Sequence, residues 1–258
     1  MKLSIRALAL SLLLTGFAFV AGSVDGAAQE KKAETKKTAA KAVPTDQPEN
    51  RDVSRHKQFL EVAKKGDVEV LFIGDSITQG WEGSGKDAWK KNFEPMKAAN
   101  FGIGGDRTQH IIWRITEGKE LEGITPKVAV MMIGTNNTGG NTAEDIAKGI
   151  KAILAEFAKQ KPNMKVLLLA VFPRAGGIAN DEMVAPKEKL NKKIDQINDI
   201  IKGYADGRTV FYKDINAKFL TSDGGLSREI MKDLLHLTAK GYEIEAEAIK
   251  PEIEKLLK

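Results

Sequence analysis

Residues 68–78 read Val-Glu-Val-Leu-Phe-Ile-Gly-Asp-Ser-Ile-Thr. The run 68–73 is apolar except for Glu69, the pattern of a strand covered on both faces, and such strands belong to parallel sheets flanked by helices. The run stops at Gly74, and a polar turn begins with Asp75 and Ser76. Runs of the same kind at 128–133 and 166–171, and shorter ones at 98–103 and 209–212, predict the remaining strands. Between them, apolar residues recur at helical spacing: Ile146, Ile150, Ile153, Leu154 and Phe157; then Leu190, Ile194, Ile197 and Ile201; then Tyr242, Ala246, Ile249, Ile253 and Leu256. Core packing accounts for these stripes. Strands alternating with helices predict an α/β fold with a parallel sheet. Thr142 with Asp145 marks a helix start, and Pro251 is expected to kink or restart the last helix.

Outward from this unit, the N-terminal end has a different composition. Lys2 and Arg6 precede an apolar run, residues 7–21, broken only by Ser11, Thr15 and Gly16. That run is short for a bilayer core of about 30 Å. Small residues follow at Gly22, Ser23, Gly26, Ala27 and Ala28, so 1–28 is expected to be a cleaved export signal, cut after Ser23 or Ala28. An exported protein, periplasmic or extracellular and without a membrane span once cleaved, follows from that reading. Residues 29–51 are rich in Lys, Ala, Thr, Glu and Pro with almost no large apolar side chain, which predicts a flexible tether. The folded unit is then expected over 52–258.

Composition narrows the chemistry. The chain has 258 residues, 42% apolar and 29% charged, and its 40 Lys and Arg against 35 Asp and Glu form no clustered basic face, so nucleic acid is not an expected partner. Cysteine is absent, which excludes disulfides and thiolate nucleophiles or metal ligands. The three histidines, His56, His110 and His236, are far apart in sequence; no metal site and no cofactor are expected.

Four polar loops remain as candidates. Ser76 follows a buried strand, and ligands of open parallel sheets bind beyond the strands' carboxyl ends. Asp and Ser also cap helices, so Gly74-Asp75-Ser76 alone is weak evidence, and Thr78 stands where the Gly-x-Ser-x-Gly elbow needs its second glycine. Asp233 and His236 precede a helix near Thr238; a histidine oriented by a carboxylate can take a serine's proton, although a surface histidine beside a helix start fits the same residues. Asn100-Phe101-Gly102-Ile103-Gly104-Gly105-Asp106 and Gly134-Thr135-Asn136-Asn137 follow strands and offer backbone and amide donors to a developing oxyanion. The first is no dinucleotide loop, because Arg107 occupies the position of the third glycine.

In this order the four segments resemble blocks I, II, III and V of the SGNH hydrolase superfamily, the GDSL esterases and lipases. With Trp113-Arg114 and Phe172-Pro173-Arg174 added, they are similar to its intracellular, brain-type platelet-activating-factor acetylhydrolase branch, over nearly all of 52–258. The resemblance implies a three-layer α/β/α sandwich with a five-stranded parallel sheet in flavodoxin-like order and a cofactor-independent serine esterase. It implies Ser76 as nucleophile, His236 as base, Asp233 as its orienting carboxylate, and an oxyanion hole from the N–H groups of Ser76 and Gly105 with the side-chain amide of Asn136. Much of the superfamily has Asp where this chain has Asn137, which reads as a mark of the branch.

The function expected is therefore hydrolysis of short-chain esters, acetyl foremost, on carbohydrate or another small polar carrier. A lipase, thioesterase or lysophospholipase of the same fold is the alternative within enzymes. A non-catalytic glycan- or surface-binding module, with the five lysines between Lys31 and Lys41 drawn to an anionic envelope, is the alternative outside them.

Overall fold

The computed structural model describes residues 43–177 and 179–258; the expected export signal, and the tether up to residue 42, lie outside them. In chain order the elements are α1 (Ser54–Lys65), β1 (Val70–Gly74), α2 (Ser76–Gln79), α3 (Lys86–Asn92), β2 (Ala98–Gly102), α4 (Thr108–Ile115), β3 (Val128–Met132), α5 (Ala143–Gln160), β4 (Lys165–Leu169), β5 (Val184–Ala185), α6 (Lys192–Ile201), β6 (Val210–Lys213), β7 (Leu226–Ser227) and α7 (Ala239–Leu257). Five strands form one parallel sheet in the order β2-β1-β3-β4-β6, the flavodoxin-like arrangement expected.

Strand periodicity divides the core in two. Leu71, Ile73, Ala129, Met131, Val166 and Leu168 face α1, α4, α5 and α6. Val70, Phe72, Val128, Val130, Leu167 and Leu169 face the opposite way, toward α3 and α7. An aromatic group fills this second layer, with Trp81 and Tyr242 ring centroids 4.6 Å apart and Phe72 and Phe93 4.9 Å apart. Because both faces of β1 and β3 are covered, every residue in them is buried.

Helix starts follow local chemistry. Thr142 accepts a hydrogen bond from the Asp145 N–H at 3.1 Å, and Thr238 accepts one from the Gly241 N–H at 3.2 Å. Asn191 caps α6 by accepting from the Lys193 N–H, which leaves Leu190 outside the helix, in a bridge with Ala175. Pro251 does not restart the last helix: α7 runs through it, and Ile249, Ile253 and Leu256 stay packed on the core to either side.

Residues 43–51 correct the expected tether. Thr45 is buried, its hydroxyl donates to the Asp145 carbonyl at 2.5 Å, and its carbonyl accepts from Thr108 Oγ1 at 2.8 Å. The Glu49 N–H donates to the Gln109 carbonyl at 3.0 Å, and Asp46 pairs with Lys148 at 2.8 Å. Polar bonds hold this segment, so its lack of large apolar side chains did not leave it unanchored. The antiparallel pair β5 and β7 is a second feature outside the expected pattern; two-residue strands are too short to show a period.

Candidate active site

Ser76 opens α2 directly beyond the carboxyl end of β1. Asp75 caps this short helix, its Oδ1 accepting from the Ile77 N–H at 2.9 Å. The turn is held from three sides. Asn100 Nδ2 donates to the Thr78 carbonyl at 3.0 Å, the Tyr242 hydroxyl donates to the Ile77 carbonyl at 2.6 Å, and Gln79 Oε1 accepts from the Gly104 N–H at 2.7 Å. Gly102 permits the close approach of β2, since a side chain there would run into the backbone of Thr78 and Gln79.

The histidine arrives on a turn built around a carboxylate. Asp233 Oδ1 accepts from the backbone N–H groups of Leu235 at 3.2 Å and His236 at 2.7 Å, while Oδ2 lies 2.6 Å from His236 Nδ1. Between them Leu234 adopts φ +60°, a left-handed conformation costly for a branched side chain, and its burial helps to hold it there. His236 Nε2 is 2.8 Å from Ser76 Oγ, across 160 positions of sequence. A proton on Nδ1, donated to Asp233, leaves Nε2 free to accept the Ser76 hydroxyl proton. Partial burial disfavours the Asp233 charge, but the His236 ring and the two backbone donors outweigh it and hold the carboxyl below its usual range.

The donors lie on the neighbouring loops. Gly105 has φ +79°, the left-handed backbone that glycine tolerates best. Among the described residues, neither the Ser76 nor the Gly105 N–H is engaged by another protein group. A side chain at Gly104 would stand 3.8 Å from Ser76 Cβ, so this loop borders the nucleophile. Asn136 lies on the turn after β3, and its Nδ2 donates to the Asp106 carbonyl at 2.9 Å. Asn137 turns inward: it is 1% exposed, accepts from the Thr108 N–H at 3.1 Å and donates to Gln109 Oε1 at 3.0 Å.

Behind the glycine loop lies a buried ionic cluster that sequence reasoning did not assign. Arg114 donates to Asp106 Oδ2 at 2.6 Å, to Glu120 at 2.7 Å and to the Phe101 carbonyl at 2.6 Å; all three charged side chains are fully buried. His56 Nδ1 lies 2.7 Å from Glu120, and Arg51 donates to Asp106 Oδ1 at 2.8 Å and to the Gly104 carbonyl at 2.7 Å. A visible signal existed, because Arg114 is the one charge within Ile111-Ile112-Trp113-Arg114-Ile115. Asp75 is also fully buried, with Oδ2 lacking a partner. Burial, reinforced by the Asp106 charge and opposed by the Ile77 N–H and Arg174, pushes its carboxyl up to about 7.

Among the described residues, no three His, Asp or Glu side chains converge as a metal site, and no helix is long and apolar enough to cross a membrane. The arrangement brings a serine, a histidine and a carboxylate into one hydrogen-bonded chain beside unused donors, the requirement for acyl transfer.

Residues 72–244 match the GDSL-like lipase/acylhydrolase family. The chain is 39% identical over 196 residues to platelet-activating factor acetylhydrolase IB subunit alpha2 of Rattus norvegicus, covering 76% of this chain and 80% of that one. It is 37% identical over 207 residues to subunit alpha1 of the same enzyme from Homo sapiens, with 79% and 84% covered. A GDSL-like lipase structure from Bacteroides thetaiotaomicron superposes with a TM-score of 0.61 at 25% identity, covering 78% of this chain and 97% of that one.

Proposed function

We propose, from the premise that this chain belongs to the GDSL-like lipase/acylhydrolase family and is a carboxylic-ester hydrolase, that Ser76, His236 and Asp233 are its catalytic triad and that acetyl esters on carbohydrate or other small polar carriers are its substrates. One observation carries the assignment of residues: the continuous chain from Ser76 Oγ through His236 to Asp233, with contacts of 2.8 and 2.6 Å.

The mechanism follows from that chain. Ser76 Oγ attacks the ester carbonyl carbon while its proton passes to His236 Nε2, and Asp233 steadies the imidazolium. The carbonyl oxygen becomes an oxyanion, which accepts hydrogen bonds from the Ser76 and Gly105 N–H groups and from the Asn136 amide. Collapse of the tetrahedral intermediate breaks the bond to the alcohol, whose oxygen takes the proton from Nε2. Water, deprotonated by the same nitrogen, then attacks the acyl-serine and releases the acid. No step needs a metal or an organic cofactor.

Acetyl is favoured because the relatives named above are acetylhydrolases. Export is part of the proposal, supported by the charge pattern and apolar run of residues 2–28; N-terminal sequencing of the mature protein tests it. Labelling by a fluorophosphonate probe tests the triad. Wild type is expected to be labelled at Ser76 and Ser76→Ala to be neither labelled nor active, with its fold kept. An unlabelled wild type would favour a binding module, and a rate rising from acetyl to octanoyl esters would favour a lipase.

A further inference from the structure

Beside the Asn136 edge of the site lies a cleft of about 460 Å³, a size suited to a small-molecule ligand. Thr135, Asn136, Arg174, Ala175, Lys189 and Asn191 are among the residues that line it. Its lining contains two cations and no carboxylate, while Glu188 and Asp195 line the adjoining cleft that shares Arg174 and Asn191 with it. Among the described residues neither Arg174 nor Lys189 makes a salt bridge, and the carboxyl that feels the Arg174 charge is the buried Asp75. Arg174 donates through one nitrogen only, over the long distances of 3.3 Å to the Thr135 carbonyl and 3.4 Å to Thr135 Oγ1. The rest of its guanidinium fork is unused by protein groups. A third cation, Lys193, stiffens the rim, its Nζ donating at 2.7 Å to both the Thr138 and Asn141 carbonyls.

A half-buried guanidinium beside Asn136, with most of its donor fork unused and no carboxylate in a salt bridge with it among the described residues, can grip a planar or tetrahedral oxyanion through two parallel N–H donors. We infer that this cleft receives a negatively charged group, a carboxylate or a phosphate, carried by the alcohol half of the ester, so that the natural substrate is an acetylated acidic sugar or a comparable anionic carrier. The acyl half is too small to carry the charge if it is acetyl, and to that extent the inference rests on the function proposed above. Arg174 and Lys189 then act in substrate recognition, separate from the proton transfers at His236.

The test uses acetyl esters on one sugar skeleton: a neutral methyl galactoside, its uronate and its 6-phosphate, with 4-nitrophenyl acetate alongside. Wild type is expected to show a kcat/KM for the better anionic ester roughly tenfold above the neutral one, and the anion that gains more identifies the group. Added salt should shrink that ratio. Arg174→Gln with Lys189→Gln should bring it close to one, and Arg174→Lys should restore part of it. Equal kcat/KM for charged and neutral esters in wild type, or a ratio the double variant leaves unmoved, overturns the inference while the esterase reading stands. Failure to cleave any of the four esters would instead sink the esterase reading. Calorimetric titration of Ser76→Ala with galacturonate, galactose 6-phosphate and galactose then decides the cleft by itself: tighter, salt-sensitive binding of either anionic sugar supports it, and equal binding of all three overturns it.

Discussion

Asn136 gives one of its two amide hydrogens to the Asp106 carbonyl, 2.9 Å away, and the other has no protein acceptor among the described residues, which leaves it free for the proposed oxyanion hole. The bond fixes the amide's orientation before any substrate arrives, so little reorganisation is left for the moment when the oxyanion forms. Loss of one such donor typically costs about 2.7 to 4 kcal/mol in the transition state. Asn136→Ala is therefore expected to lower kcat roughly 100- to 1,000-fold with little change in KM. A variant that raises KM alone would remove Asn136 from the oxyanion hole.

Asn137, its neighbour, should separate stability from catalysis. Asn137→Ala strands the Thr108 N–H in the interior and leaves Gln109 Oε1 only the 3.3 Å contact with the Thr108 hydroxyl, at a cost of about 1 to 3 kcal/mol in unfolding free energy measured by urea titration. Asn137→Asp keeps the acceptor for Thr108, and Gln109 can turn its own amide to donate, so that variant should stay folded and active. If Asn137→Ala lowers turnover more than Asn136→Ala does, the division of roles is wrong.

Asp233→Asn should leave the turn in place, because an amide oxygen can still accept from the Leu235 and His236 N–H groups. The new NH₂ would face His236 Nδ1, moving the ring proton to Nε2 and removing the base. Turnover is expected to fall roughly 10³- to 10⁴-fold, as for a triad held in the wrong tautomer. Since the wild-type carboxyl lies below its usual range, its charge, and the stability this contributes, persists above that range and is lost only as pH falls through it. Loss of the Asp233 charge should thus set no limit on the wild-type rate until pH falls below the ordinary carboxylate range. A profile that declines with carboxylate titration inside that range would contradict this.

Asp75 carries the opposite sign. Its carboxyl titrates at about 7 in the fold against an ordinary 3.8, so the folded chain holds more protons than the unfolded one between those values. Stability from this group is greatest below the lower value and declines as pH rises to the upper one, by on the order of 4 kcal/mol. Asp75→Asn keeps the acceptor for the Ile77 N–H and cannot ionise. Its melting temperature relative to wild type should therefore rise between pH 5 and pH 8; a constant difference across that range would rule out a buried, titrating Asp75.

The central strands β1 and β3 were legible because both their faces are covered and every residue in them is buried; the long helices α5 and α7 were legible because each buries a regular stripe. The helix α1 buries only His56, Phe59 and Ala63, too sparse a pattern to stand out. Residue types marked Ser76, Asp233 and His236 as candidates, yet nothing in their spacing reveals that 160 positions close to 2.8 Å. That closure depends on the sheet order and on the left-handed Leu234, a conformation no local pattern announced. Arg51 escaped notice for a different reason, since a polar segment tied down by hydrogen bonds has the composition of a free one.

The cluster of Asp106, Arg114, Glu120 and His56 also bears on how this sequence can diverge. Each member satisfies another inside the protein, so a single replacement leaves a buried charge or donor unanswered, which is among the costlier defects a core can carry. A lineage drifting one substitution at a time meets a barrier at every one of the four. The quartet is therefore expected to change only together, and since Asp106 also closes the glycine loop through Arg51 and Asn136, the loop's shape is tied to it by the same constraint.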